Sequence, residues 1–216
     1  MRRSYLFSAG LLLMVPAPVA AGPDFEWVNF APAATMHFNG SAAIAKAGPS
    51  RWPILRLTDG GRRQTGSAWL GERIDLTGSF DTTFEVLLHH GTAGAADIAF
   101  VLRADRPQRD RTLAVEFDDH VALVLTRDHR QPLATAEAPV PLFGAPFRAR
   151  VVYRAIRHDL RVYLGGPGGE AEPHLVINRT VDLTDRLGAA TAWIGFTGAS
   201  GHRTAKQDIL NWSLHT

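Results

Sequence analysis

The chain of 216 residues contains no cysteine. It therefore has no disulfide, no thiolate metal ligand and no thiol nucleophile. Small exported domains usually rely on disulfides, but a chain of this length buries about 70% of its surface in one core and needs no such staple. The sequence also lacks a charge excess: 23 Lys and Arg face 21 Asp and Glu, and Arg2 and Arg3 account for the whole difference. Composition thus offers no electrostatic case for a nucleic-acid partner. No apolar run is long enough to cross a bilayer. The one candidate, residues 6–15, follows Arg2 and Arg3 and precedes the small-residue site Val19-Ala20-Ala21 before Gly22, which is the pattern of a cleaved signal peptide. The expected organisation is a leader over 1–21 and one domain over 22–216, secreted or periplasmic and not membrane-spanning after leader removal. No Gly-x-Ser-x-Gly elbow is present, which argues against serine hydrolysis on that plan.

Helical periodicity is almost absent as well. Many short runs alternate apolar and polar residues instead, and Gly, Pro, Asp and Asn punctuate them. WPILRL (52–57) closes on Thr58-Asp59-Gly60-Gly61, TFEVLL (83–88) points Phe84, Val86 and Leu88 one way, and DIAFVL (97–102) does the same with Ile98, Phe100 and Leu102. Segments 148–153 and 160–164 flank a turn at Arg157-His158-Asp159, and 209–214 places Leu210, Trp212 and Leu214 on one face. Such spacing predicts an all-β sandwich or barrel, with no domain break and no internal repeat.

The most informative stretch is LAVEFDDHVALVLT, residues 113–126. Leu113, Val115 and Phe117 share one face of a strand, and Ala114, Glu116 and Asp118 share the other. Glu116 and Asp118 then stand about 6.6 Å apart at roughly 3.3 Å per residue, so their face is either wet or shared with a cation. Val121, Leu123 and Leu125 resume the alternation after Asp119 and His120. One long strand and a hairpin with a three-residue loop Asp118-Asp119-His120 have the same parity; the hairpin is preferred because Asp is depleted in strand interiors and thirteen-odd residues is long for a strand. Phe117 and Trp212 are expected core residues. His89 and His90, adjacent at a strand end, should point to opposite faces. Trp27, Trp69, Trp193 and Trp212 fall at alternating strand positions and read as core or sheet-face packing, whereas Trp52 beside Pro53 reads as exposed.

Several pieces in order resemble the legume-type (L-type) lectins, in the bacterial branch of the concanavalin-like superfamily. They are Phe38-Asn39-Gly40-Ser41-Ala42, then Gln64-Thr65-Gly66-Ser67-Ala68-Trp69 and Ile74-Asp75-Leu76, then residues 80–102, which resemble a strand pair ending in "ADGIAFVL", then Val115 to Asp118, which matches "VEFD". The C-terminal block adds Val181-Asp182-Leu183-Thr184, Trp193 through Gly201 (WIGFTGASG) and Ile209-Leu210-Asn211-Trp212-Ser213. The resemblance covers residues 25–214 and implies a jelly-roll sandwich whose rim loops hold metal and sugar.

That resemblance also implies a site in four parts. The family's sugar-binding Asp corresponds to Ala96, with an Asp one place later at Asp97; a one-residue shift turns a side chain to the other face, so Asp97 reaches the site only if a bulge returns it there. The family's Gly-containing loop is replaced by residues 103–112 (RADRPQRDRT), a charged, solvated loop. In the metal loop only Asp119 separates Asp118 from His120, so the calcium ligands are deleted, since calcium takes six to eight oxygens. Glu116, Asp118 and His120 still match the transition-metal positions and could hold Mn or Zn, or pair with one another at a hairpin tip. The loop after GFT keeps Gly198, Ser200, His202 and Arg203 as candidate sugar contacts. Glycoside hydrolases of the same superfamily carry Glu-x-Asp-x-x-Glu, and Val121 stands where the last Glu belongs, so the expectation is a non-enzyme. The reading is an exported, carbohydrate-binding, lectin-like protein with a reduced rim; the alternative is a structural or protein-interaction sandwich that no longer binds glycan.

Overall fold

A computed structural model describes residues 24–28, 30, 35–47, 52–91, 96–104, 111–125, 132–169, 173–202 and 204–216. Residues 1–21, expected as a leader, the middle of the charged 103–112 segment and Arg203 lie outside the described residues. In chain order the strands are β1 (Phe25–Val28), β2 (Met36–Gly40), β3 (Ala43–Ala47), β4 (Trp52–Asp59), β5 (Thr65–Leu70), β6 (Ile74–Asp75), β7 (Phe80–His89) and β8 (Ala96–Ala104). They continue as β9 (Arg111–Phe117), β10 (Val121–Leu125), β11 (Ala134–Ala136), β12 (Phe147–Arg154), β13 (Asp159–Gly165), β14 (His174–Thr180), β15 (Thr191–Ser200) and β16 (Lys206–His215).

These strands build two antiparallel sheets. The back sheet runs β14-β13-β12-β7-β16-β4-β3 with β1 added on β16, and the front sheet runs β11-β10-β9-β8-β15-β5-β2 with β6 added on β15. The fold is all-β, as the alternation predicts, and of the sandwich and barrel that alternation allows it is the sandwich implied by the resemblance. Its core lies between the sheets because each strand turns its large apolar residues one way. Phe84 of the back sheet stacks on Phe100 at 5.4 Å and meets Phe196 and Phe117 edge-on at 5.0 and 6.0 Å. Such ring pairs add about 0.5–1.5 kcal/mol each beyond the area they bury. Trp212 is 1% exposed and donates its indole N–H to Thr82 Oγ1 at 2.8 Å, so its polar edge is satisfied inside the core. Trp52, by contrast, is 54% exposed.

The hairpin at the middle of the chain forms as read. Phe117 pairs with Val121 and Leu113 with Leu125, and the Asp118 N–H donates to the His120 carbonyl across the three-residue turn. One helical turn, α1 (Leu183–Leu187), escapes periodicity because it is only five residues long. Its signals are its ends: Asp182 caps the N-terminus by accepting from the Asp185 N–H, and Gly188 closes it at φ +67°.

The histidine pair departs from the alternation. His89 ends β7 on the outer face of the back sheet, but His90 adopts φ +51°. That left-handed step swings its ring back, and the two rings meet at 4.4 Å with Nδ1 facing Nδ1. Strict alternation applies only while the chain stays extended, so the expectation of opposite faces fails at this residue.

Candidate functional site

Strand register determines what stands on the outer, concave face of the front sheet. In β9 the buried residues are Leu113, Val115 and Phe117, which leaves Ala114 and Glu116 on the other face. Glu116 pairs with Ala122 on β10 and with Ala99 on β8; Ala99 pairs with Thr197 on β15, and Thr197 with Ser67 on β5, whose partner on β2 is Asn39. One row across six strands therefore reads Asn39, Ser67, Thr197, Ala99, Glu116, Ala122. Its side chains are short apart from Glu116, and four of the six are polar, so it forms a floor. Asp97, Asp118 and His120 stand at the end of the sheet beside this row, and together these residues line an open groove of about 640 Å³.

Further along the same face the surface is aromatic and cationic. Trp69, Ala99 and Val101 form a second apolar cluster outside the main core, with Ala114 and Trp193 packed against it. The Arg103 guanidinium lies 4.8 Å from the Trp69 ring centre and that of Arg73 lies 5.0 Å from Trp193. Contacts of this kind are worth about 0.5–1 kcal/mol where water reaches them. Trp69 also donates its indole N–H to Ser67 Oγ at 3.1 Å, and Asn39 donates to the same oxygen at 3.4 Å. A smaller depression of about 280 Å³ over this surface shares Ala99, Glu116 and Thr197 with the groove, so the two are continuous.

Glu116, Asp118, His120, Asp97 and Gly198, all singled out in the sequence, line the groove. Asp97 needs no bulge to do so. The register of β8 runs unbroken against both β9 and β15, and ordinary alternation sets Asp97 on the same face as Ala99. Gly198 contributes backbone only, because a Cβ there would come within 2.0 Å of Gln207 Oε1 and 2.9 Å of Leu57 Cβ. Ser200 is not available to a ligand. It is 6% exposed, donates to the Gly61 carbonyl at 2.7 Å and accepts from the Gln64 N–H at 3.0 Å, pinning β15 to the turn before β5. His202 is exposed but does not line the groove, and Arg203 lies outside the described residues. Asn39, Ser67 and Thr197 were not singled out as site residues; their signal is that each is a polar residue at an outward position of its strand.

The metals implied by the resemblance can be tested against these residues. The turn offers Asp119 alone between Asp118 and His120, and the Asp119 carboxylate accepts from the His120 ring N–H. That contact holds the Asp119 carboxyl below the usual carboxylate range. Six to eight oxygens for calcium are not assembled here. Among the described residues no three His, Asp or Glu side chains gather as a metal site, so Glu116, Asp118 and His120 share a groove without forming a ready ligand set.

Comparison with solved structures agrees with the architecture. The chain is similar to the Lotus tetragonolobus seed lectin at a TM-score of 0.72 and 18% identity, covering 89% of this chain and 97% of that one. It is similar to arcelin-5, a lectin-like defense protein from Phaseolus vulgaris, at 0.72 and 20%, covering 90% and 98%. It is similar also to the exoplasmic/lumenal domain of VIP36 in its Ca²⁺-bound form, at 0.66 and 16%, covering 84% and 83%. The chain has the legume-type lectin fold. No family model matches the sequence, and no curated protein matches it either.

Proposed function

We propose that this protein binds carbohydrate, without cleaving it, in the groove on the concave face of the front sheet. The observation that carries the reading is the row Asn39, Ser67, Thr197 and Glu116, four hydrogen-bonding side chains in line with Ala99 and Ala122, on a fold shared with solved lectins. Hydroxyl groups of a sugar both donate and accept; the carboxylates Asp97, Glu116 and Asp118 accept, Asn39 does both, and the apolar surface at Val101 suits the C–H face of a sugar ring. Non-catalysis is supported by Val121, which is wholly buried opposite Phe117 and leaves no acid where the related hydrolases carry one. Retaining hydrolysis needs a nucleophile and an acid about 5–5.5 Å apart.

The same reading includes export, supported by Arg2, Arg3, the apolar run that follows and Val19-Ala20-Ala21. Intact-mass measurement of the exported protein should find residues 1–21 missing.

A glycan array, with and without added calcium and manganese, tests the binding reading. Binding of at least one glycan class, weakened tenfold or more by Glu116→Gln or Ser67→Val and unaccompanied by release of reducing ends, is the expected result. Absence of binding to every glycan by a folded protein would favour the alternative of a structural or protein-interaction sandwich.

A further inference from the structure

A second cluster of chemistry-bearing side chains lies on the other sheet, far from the groove in topology and unused by it. Asp208, on β16, has no exposed surface and receives two N–H groups from Arg56, Nε at 2.7 Å to Oδ1 and Nη2 at 2.7 Å to Oδ2. His89 Nε2 lies 2.8 Å from Oδ2 of the same carboxylate. A carboxylate held by a guanidinium only accepts, so His89 Nε2 carries a hydrogen, and in the neutral ring that leaves Nδ1 as the nitrogen with the lone pair. That lone pair faces Nδ1 of His90. Two ring nitrogens cannot face each other with both lone pairs bare; a proton or a metal ion must stand between them.

We propose that His89 and His90 form a two-histidine site for a first-row transition-metal ion, Cu²⁺ foremost, on the outer face of the back sheet, with Asp208 as the carboxylate that orients His89. Three features suit the pair to a metal ion. A histidine whose outer N–H is given to a buried carboxylate is the arrangement by which metal-ligating imidazoles are aimed and made more basic. Imidazole nitrogens suit copper and zinc, and the affinity order of divalent ions places Cu²⁺ first. The turn is held from below: Gly91 packs so closely on Thr204 that a Cβ would come within 1.7 Å of its carbonyl oxygen, and the backbone at His90 borders Gly60.

Metal–nitrogen bonds of about 2.0–2.1 Å require the two Nδ1 atoms to stand roughly 3 to 4 Å apart. His90 is exposed and supplies that movement by rotating its side chain, while His89 stays pinned to Asp208. The hydrogen on His90 Nδ1 passes to its solvent-facing Nε2, so no proton need leave a neutral pair. Waters complete the shell. Lys206 pairs with His89 in the strand register, and its charge acts on Asp59 at the end of neighbouring β4.

The test is titration of the metal-stripped mature protein with Cu²⁺ in a non-chelating buffer, followed by calorimetry and electron paramagnetic resonance. One ion per chain with two-nitrogen hyperfine structure is expected. His90→Ala, an exposed change that leaves the melting temperature unaltered, should weaken binding at least tenfold. His120→Ala should leave it unchanged. Asp208→Asn should weaken it about 10–100-fold, and if that buried variant does not fold, His90→Ala alone decides the matter. Failure of the wild-type protein to bind Cu²⁺, equal affinity in His90→Ala, or loss of binding in His120→Ala instead would each overturn the proposal.

Discussion

The Arg56–Asp208 pair makes a quantitative prediction that separates two views of a buried ion pair. Asp208 has no exposed side-chain surface and Arg56 is 18% exposed, and the two make a bidentate contact at 2.7 Å. Removing one member of such a pair costs about 3–5 kcal/mol, because the other is left charged and buried, whereas replacing both with apolar groups of similar size is often near neutral. The two single changes should not be equal. Asp208→Ala leaves a guanidinium that still reaches water and should fall near 3 kcal/mol, while Arg56→Met strands a wholly buried carboxylate with His89 as its remaining hydrogen-bond donor and should approach 5 kcal/mol. Arg56→Met with Asp208→Leu should lose under about 2 kcal/mol, mostly the acceptor of the His89 N–H, worth about 1 kcal/mol. Urea melts of the four proteins at constant m-value measure the cycle, and for a chain of this size the single changes should lower Tm by about 10 °C. Strict additivity, or a loss under about 1 kcal/mol for Arg56→Met, would show that the pair lies in effective solvent and would refute the reasoning.

Other outcomes are equally specific. Phe117→Ala should cost about 3–5 kcal/mol in denaturant melts, since Phe117 is 1% exposed and touches the rings of Phe84 and Phe147; a loss below about 1 kcal/mol would contradict its place in the core. Millimolar calcium should leave the melting temperature unchanged, because a resident ion at 100 times its dissociation constant adds about 2.7 kcal/mol and the Asp118-Asp119-His120 turn lacks the ligands to hold one. Asp182 is held below its ordinary value of 3.8 by the Asp185 N–H and the Thr184 hydroxyl. Its stabilisation of α1 is therefore fully present above pH 3.8 and is lost as pH falls through the lower folded-state value, and Asp182→Asn, which keeps a cap but does not titrate, should flatten that part of the acid melting curve.

The parts of the molecule legible in the sequence are those that local periodicity encodes. Phe117 and Val121 had to face the same way whether the chain turned or continued, so the core side of the central hairpin followed from parity alone, and the depletion of Asp in strands selected the turn that forms. Glu116 and Asp118 were visible as polar residues of outer parity, whereas Asp97, set on the other face by the resemblance, reaches the groove by the plain alternation of its own strand. What no single strand contains is strand order. Asn39, Ser67, Thr197 and Glu116 become neighbours only because β2, β5, β15, β8 and β9 lie side by side in the front sheet, a long-range arrangement that packing selects and spacing does not record.

Two misreadings share a cause with that limit. Ser200 has the residue type and loop position of a ligand contact, but both of its hydroxyl hydrogen bonds go to the turn at Gly61 and Gln64, nearly 140 residues earlier in the chain. Its chemistry is consumed by tertiary structure. His89 and His90 go the other way: alternation separates them, and a single left-handed φ at His90 reunites them. Left-handed backbone is costly for a residue with a side chain and needs surrounding structure to hold it. Here Gly91 against Thr204 supplies that hold and Asp208 fixes the neighbouring ring. A strained step that brings two ring nitrogens together beside a buried carboxylate is where sequence rules should fail if the pair serves a purpose beyond packing, which gives the copper titration its weight.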